Sequence, residues 1–379
     1  MELYLHIPFC KRKCLYCDFN SYANCSRELI FGYLTALNRE LELAGKEFLS
    51  SEKPLELTSV FIGGGTPSLL EKEELESVVK AVKNNFDFAG DFEFTIEANP
   101  ESLTEEKLAL YRSLGINRLS VGVQSLYDDN LQAIGRIHDA KTALEKIKLA
   151  RRYFDNLSCD LMIGLPFDTK ERVQEEVATL ANIVDHISVY QLILEENTPL
   201  ENLVKNGKIV LPNDDETIDL FDVALNVLRD LGFCRYEVSN FAKDGKYSRH
   251  NFGYWMRDEY LGIGAGAASF LKRKNPFGEQ VRISSFAPIE KYIESVEGAK
   301  DYYSVKRESV QSLDESAVRD EEIMLGLRTS YGVKKSIVGE DILAKYAEYF
   351  VFNGDRVHLT DDGLAIMNTI LVDAMSFED

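Results

Sequence analysis

The strongest constraint on this chain is a repeat of form: short apolar runs alternate with helix-length amphipathic segments through the first half of the sequence. The runs at 3–7, 58–64, 92–98, 118–124, 158–164 and 186–194 read as strands. Between the first two, Leu29, Ile30, Tyr33, Leu34, Leu37, Leu41 and Ala44 fall on one face of a helix over 28–48. The segments 71–86, 104–114, 139–153 and 170–184 behave alike. Strands joined by helices of this length run parallel through right-handed crossovers. Six such units predict a full or partial β/α barrel, or a doubly wound sheet.

In either architecture ligands gather on the loops that leave the C-terminal ends of the strands. The unusual residues fall there: CKRKCLYCDF (10–19), GGGTPS (63–68), EANP (97–100), GVQS (122–125) and GLP (164–166). Cys10, Cys14 and Cys17 are spaced C-x3-C-x2-C. A structural zinc site takes four ligands, so zinc would need His6 or a remote cysteine. An iron–sulfur cubane held by three thiolates would keep one iron open to a small chelating cofactor. His6, on an apolar strand, reads as a hydrogen-bonded core histidine, and Cys25, Cys159 and Cys234 read as small buried hydrophobes.

At 379 residues, about two compact units, or one large barrel plus an appendage, are expected. A formal charge of -20 argues against non-specific nucleic-acid binding, which needs clustered cations. The start, MELYLHIPFC, has no basic-then-apolar leader pattern, and no apolar run approaches the ~18 residues of a membrane span. A cytoplasmic protein is therefore expected, with room for peripheral membrane contact. In that compartment clustered thiols serve metals or catalysis. Downstream, 214–231 reads as a helix and 233–242 as one more strand, followed by RHNFGYW (249–255). Helices over 314–328 and near 339–349, then a hairpin turning at Asn353-Gly354, suggest a winged-helix-like module. Residues 311–379 carry 6 basic against 14 acidic side chains, which favours a docking or lid module over a DNA reader. The predicted division is a core barrel over 1–245, a connecting segment over 246–310 and a smaller, mainly helical module over 311–379.

HIPFCKRKCLYCDF, with GGGTP one βα unit later and EANP, GVQS and DLMIGLP in that order, resembles the radical S-adenosylmethionine (SAM) superfamily. Within it the likeness is to the branch of the oxygen-independent coproporphyrinogen III oxidases and the HemW haem chaperones, and it runs from Tyr4 to the LTDDGL near the C terminus. The resemblance implies a partial (β/α)6 barrel of TIM type. It implies a [4Fe-4S] cluster on Cys10, Cys14 and Cys17, with SAM at the open iron. It further implies that Gly64, Gly65 and Thr66 approach the methionyl amino group and that Glu97 and Gln124 bond polar groups of the cofactor. Arg136 would hold its carboxylate and Asp160 its nucleoside, with Tyr4 and Tyr16 near sulfonium and adenine.

Two departures from the oxidases stand out. Phe19 occupies the position of their fourth cysteine, and the cysteine loop begins ten residues from Met1, without their N-terminal extension. HNFGYW, with the single tryptophan Trp255, resembles the H-N-x-x-Y-W signature of the haem-carrying relatives. The resemblance thus implies a haem chaperone handing haem to acceptor proteins, respiratory ones among them, with His250 as the haem contact. The alternative it implies is radical-SAM oxidation of coproporphyrinogen III to protoporphyrinogen IX.

Overall fold

The computed structural model describes residues 1–49 and 56–375. Six strands lie side by side in chain order, all parallel: β1 (Glu2–Ile7), β2 (Glu56–Gly64), β3 (Asp87–Ala98), β4 (Arg118–Gln124), β5 (Leu157–Ile163) and β6 (His186–Gln191). Helices Arg27–Leu49, Lys72–Asn85, Glu105–Ser113, Ala140–Arg151 and Lys170–Ala181 connect them. The side chains of Thr104, Asp139 and Thr169 cap three of these helices by accepting an amide hydrogen bond three residues on. This is the partial six-unit barrel that the family resemblance implies, one of the architectures the alternation left open.

The strands use their two faces differently. Leu3, Leu5, Ile7, Val60, Ile62, Phe94, Ile96, Leu119, Val121, Leu157, Cys159 and Leu161 are all fully buried and belong to one apolar core. Because side chains alternate along a strand, the residues between them face the barrel interior. These are Glu2, Tyr4 and His6; Ser59 and Phe61; Glu93, Thr95 and Glu97; Arg118 and Ser120; Ser158 and Asp160; His186 and Ser188. Register sets Glu97 beside Ser120, Ser158 beside His186, and Asp160 beside both Gly122 and Ser188. A solid β/α barrel fills this space with branched apolar side chains. Here it is acidic and hydroxylic, and burying such groups without partners is unfavourable. Several of these groups partner one another, as Ser158 Oγ does with His186 Nδ1 at 2.7 Å, so the lumen is a polar, hydrogen-bonded interior.

Three expectations need correction. Residues 233–242 form two short antiparallel strands, β7 (Cys234–Arg235) and β8 (Asn240–Ala242), with β8 paired to β6. The chain reverses between them because Glu237 accepts from the Ser239 amide and the Asn240 side chain, local bonds that compete with an extended strand. Residues 246–310 are no mere connector. β9 (Tyr260–Ile263) covers the free edge of β1 in parallel, and β10 (Ala268–Leu271), β11 (Val281–Ser284) and β12 (Ser309–Ser312) follow antiparallel in the same twelve-stranded sheet. Lastly, Cys159 is buried as expected, but Cys25 is half-buried and Cys234 exposed.

The C-terminal residues form a second core around Ile323, Leu327, Val357, Leu359 and Ile370, with a three-stranded antiparallel sheet and flanking helices. Ion pairs join it to the barrel, among them Arg229 and Arg235 with Asp361. Among the described residues no helix is long and apolar enough to cross a membrane.

Candidate functional site

At the C-terminal rim, one cavity is lined by Cys10, Cys14, Tyr16, Cys17, Phe19, Gly64, Gly65, Thr66, Glu97, Asn99, Gln124, Arg136 and Asp160. Residues from five strand ends, up to 150 positions apart in the chain, thus meet where the parallel architecture requires.

Backbone bonds hold the cysteine loop in place. Phe9–Cys10 pairs in parallel with Tyr22–Ala23, closing the loop at its base. Leu15 donates its amide to the Ile134 carbonyl at 3.0 Å, and the Arg12 guanidinium donates to the Gly135 and Arg136 carbonyls at 2.7 Å each. The glycine loop lies against the other side: the Gly65 amide donates to Ile7 O at 2.9 Å, and the Thr66 amide to Phe9 O at 2.8 Å. A β-carbon on Gly65 would sit 2.8 Å from Phe9 O and 3.0 Å from Cys10 Sγ. Glycine is required there by proximity, because any side chain would push the two loops apart.

Arg136 links the parts. It donates to Cys14 Sγ at 3.5 Å, to Asn99 Oδ1 at 2.7 Å and to the Gly122 carbonyl at 2.6 Å, while Asn99 donates to Thr66 Oγ1 at 3.0 Å. Asn99 escaped the sequence reading of individual residues; its only signal was its place in the EANP strand end. Burial, reinforced by the charge of Asp160, pushes Glu97 up to about 8, while the Gly64 amide donates to it at 3.1 Å. Glu97 therefore holds a proton near neutrality and ionises readily if a cation enters. Burial raises Asp160 as well, opposed by bonds from Ser188 and Ser120 and by the charges of Arg118 and Arg136. Gln124 adopts a left-handed φ of 68° where the rim turns away from the strand.

The donor set suits a thiolate-bound cluster and a small polar cofactor. Three thiols share one wall beside a cation, next to a loop bare of side chains. Among the described residues no three or more His, Cys, Asp or Glu side chains are grouped as around a single metal ion. Of the residues singled out in the sequence, Tyr4 is the exception at this cavity. It does not line it, but bonds His6 Nδ1 through its hydroxyl at 3.0 Å and stacks on Phe61 below. His6, as expected, is buried, with Nε2 bonded to Asn20 O at 2.8 Å.

His250 lies inside the barrel rather than at the rim. It is fully buried, Nδ1 bonds Ser59 Oγ at 2.8 Å, Nε2 bonds the Tyr254 hydroxyl at 2.7 Å, and the ring stacks on Phe61. Burial, with Arg118 nearby, lowers it to about 3. Both ring nitrogens are thus engaged inside the barrel. The helix that carries it, Arg249–Trp255, closes the lumen from below, with Glu93 accepting the amides of Arg249 and His250 at 3.3 Å. The rest of the motif faces elsewhere: Asn251, Tyr254 and Trp255 wall a second cavity of about 490 Å³ with Tyr260, Phe270, Arg257 and Arg282.

Comparison with known proteins agrees with this geometry. The Radical SAM superfamily profile matches residues 4–180. A protein of Bacillus subtilis named heme chaperone HemW is 36% identical, over 89% of this chain and 86% of its own length. One of the same name from Haemophilus influenzae is 33% identical, over 98% and 97%. The bovine radical S-adenosyl methionine domain-containing protein 1, mitochondrial, is 36% identical over 87% and 74%. Among solved structures, the coproporphyrinogen III oxidase HemN of Escherichia coli superposes with a TM-score of 0.80 at 21% identity, covering 98% of this chain and 89% of its own, a likeness of fold.

Proposed function

Because the chain belongs to the radical SAM superfamily, in the family of the heme chaperones HemW, we propose that it binds haem and passes it to acceptor proteins while carrying a [4Fe-4S] cluster and SAM. Cys10, Cys14 and Cys17 would hold the cluster. When bound and reduced, it supplies one electron to the sulfonium of SAM. This chain's part is positional. Gly64 and Gly65 let a ligand approach the backbone, and Thr66 and Asn99 present polar groups. Glu97 takes up a positive charge by losing its proton, and Arg136 donates to the Cys14 sulfur and would pair with a carboxylate beside it. Gln124, Asp160 and Tyr16 complete the wall.

Haem would lie in the second cavity, against Tyr254 and Trp255, since aromatic faces suit a porphyrin plane. The observation that carries this is the placement of Asn251, Tyr254 and Trp255 on that wall, while His250 of the same motif turns inward. Phe19, 66% exposed at the rim cavity, can neither ligate nor relay a proton, which favours binding over oxidase chemistry.

The test is an anaerobic haem titration of the reconstituted protein, run beside an assay with coproporphyrinogen III. A saturable Soret change without protoporphyrinogen formation supports the proposal. Turnover without haem retention would replace it with the oxidase. Changing the three cysteines to alanine together should abolish the cluster signal.

A further inference from the structure

We propose that the second cavity is a seat for a flat dicarboxylate and that Glu321, on helix Glu315–Gly326, stands in for one of the ligand's carboxylates, occupying the cavity's arginines as a latch until the ligand displaces it. The identity of the ligand as haem rests on the function proposed above; the latch rests on the following geometry.

Arg257 and Arg282 reach the cavity from different segments and stack on one ring, with guanidinium carbons 5.0 and 4.8 Å from the Phe270 centroid. Glu321 bridges them. Its Oε2 accepts from Arg257 Nε at 3.0 Å, and its two oxygens accept a forked pair of bonds from Arg282 at 2.8 and 2.9 Å. Two guanidiniums therefore share one well-placed carboxylate. Glu322 adds a longer contact of 3.3 Å to Arg257 from a half-exposed position. Arg257 also donates to Gln280 Oε1 at 3.3 Å and Arg282 to the Tyr260 hydroxyl at 3.0 Å. Arginine forks match carboxylates in bidentate fashion, so a ligand bearing two of them gives each guanidinium its own carboxylate where the pair now shares Glu321.

The backbone of Arg257 points the same way. Its φ of 55° is left-handed, at the turn that ends helix Arg249–Trp255, where the Arg257 amide returns to Tyr254 O and the Asp258 amide to Gly253 O. Glycine or asparagine is the ordinary residue at such a turn, and a larger side chain is strained there by ~1 kcal/mol. Strain borne by a residue that is only 4% exposed indicates that its side chain is used. Leu325, one helical turn from Glu321 on the same face, is part of the cavity wall. The helix that neutralises the arginines thus also contributes to the cavity wall, so pairing of a ligand carboxylate with the arginines and release of the latch are one event.

The experiment compares the wild type with Glu321→Gln, both checked as folded by circular dichroism, in titrations with haem and with its dimethyl ester. Hydrogen exchange is followed over 315–326. If the latched form dominates by ~10:1, Glu321→Gln binds haem roughly tenfold tighter. The ester should bind both proteins alike. Exchange over 315–326 should rise in the variant, and in the wild type on adding haem. Arg282→Gln should weaken haem and leave the ester unchanged. Haem binding no tighter in Glu321→Gln, or exchange that haem leaves unchanged, would overturn the latch while leaving the chaperone reading intact. If neither protein binds haem, that reading fails, and unchanged exchange in the variant overturns the latch independently.

Discussion

Replacing Gly65 by alanine should separate the stability of the fold from the integrity of the cluster site. The added β-carbon would stand 2.8 Å from Phe9 O, 3.0 Å from Phe9 N and 3.0 Å from Cys10 Sγ. Two of these are backbone atoms, and the Gly65 and Thr66 amides bond the carbonyls of Ile7 and Phe9 in the segment leading into the cysteine loop at 2.9 and 2.8 Å, so neither side can yield alone. Relief requires moving the glycine loop and the cysteine loop apart by several tenths of an ångström, at about 1–3 kcal/mol for an overpacked contact. That leaves a chain of typical stability, ~5–15 kcal/mol, folded. Metal–ligand distances tolerate only ~0.2 Å, so Cys10 should be lost as a ligand before the barrel is lost as a fold. The assay pairs a urea unfolding curve with iron and sulfide content after anaerobic reconstitution. Gly65→Ala should shift the midpoint modestly and lower cluster retention severely. Gly90→Ala is the control: no atom lies within 4 Å of its β-carbon, so it should be neutral or stabilising by ~0.4–1 kcal/mol. Unchanged cluster retention and an unchanged midpoint in Gly65→Ala would refute the close-approach argument.

Four further outcomes are expected. Glu97→Gln cannot ionise, so it should weaken SAM binding by ~1.5–3 kcal/mol in calorimetry, the range of a hydrogen bond to a charged group. Burial pushes Glu176 up to about 8 from 4.5, so the folded chain keeps a proton that the unfolded chain releases, and wild-type stability falls as pH rises between those values. Glu176→Gln should show a shallower decline, the remainder coming from Glu97, and parallel pH–stability profiles would disprove the assignment. Arg307→Leu should lose ~3–5 kcal/mol in denaturant unfolding, because it leaves Glu40, fully buried with the Tyr292 hydroxyl on it at 2.6 Å, without its countercharge. His250→Ala should lower stability by ~1–3 kcal/mol by orphaning the Ser59 and Tyr254 hydroxyls. An axial ligand would instead show mainly as a changed haem spectrum at unchanged stability.

The rim cavity was legible in the sequence for a physical reason. Parallel βα units deliver every strand's C-terminal end to one side, so locating the strands locates the loops, and Cys10, Gly65, Glu97 and Arg136 met as that rule requires. Tyr4 and His250 were not legible, because strand alternation and helix rotation decide whether a side chain faces lumen or cavity. A motif fixes neither. Asn99 was missed because a short amide has no pattern of its own until Arg136, 37 residues away, bonds to it.

What the linear chain determined by itself was the order of strands and helices, the three-thiol spacing and the glycine loop, since all of these are set by local periodicity and backbone freedom. What only the tertiary structure decided was the polar lumen, the inward turn of His250 and the meeting of Arg257, Arg282 and Glu321 over Phe270. Those depend on how strand register and the closing edge of the sheet bring distant side chains within a few ångströms, where charge and burial act, and no spacing along the sequence encodes that.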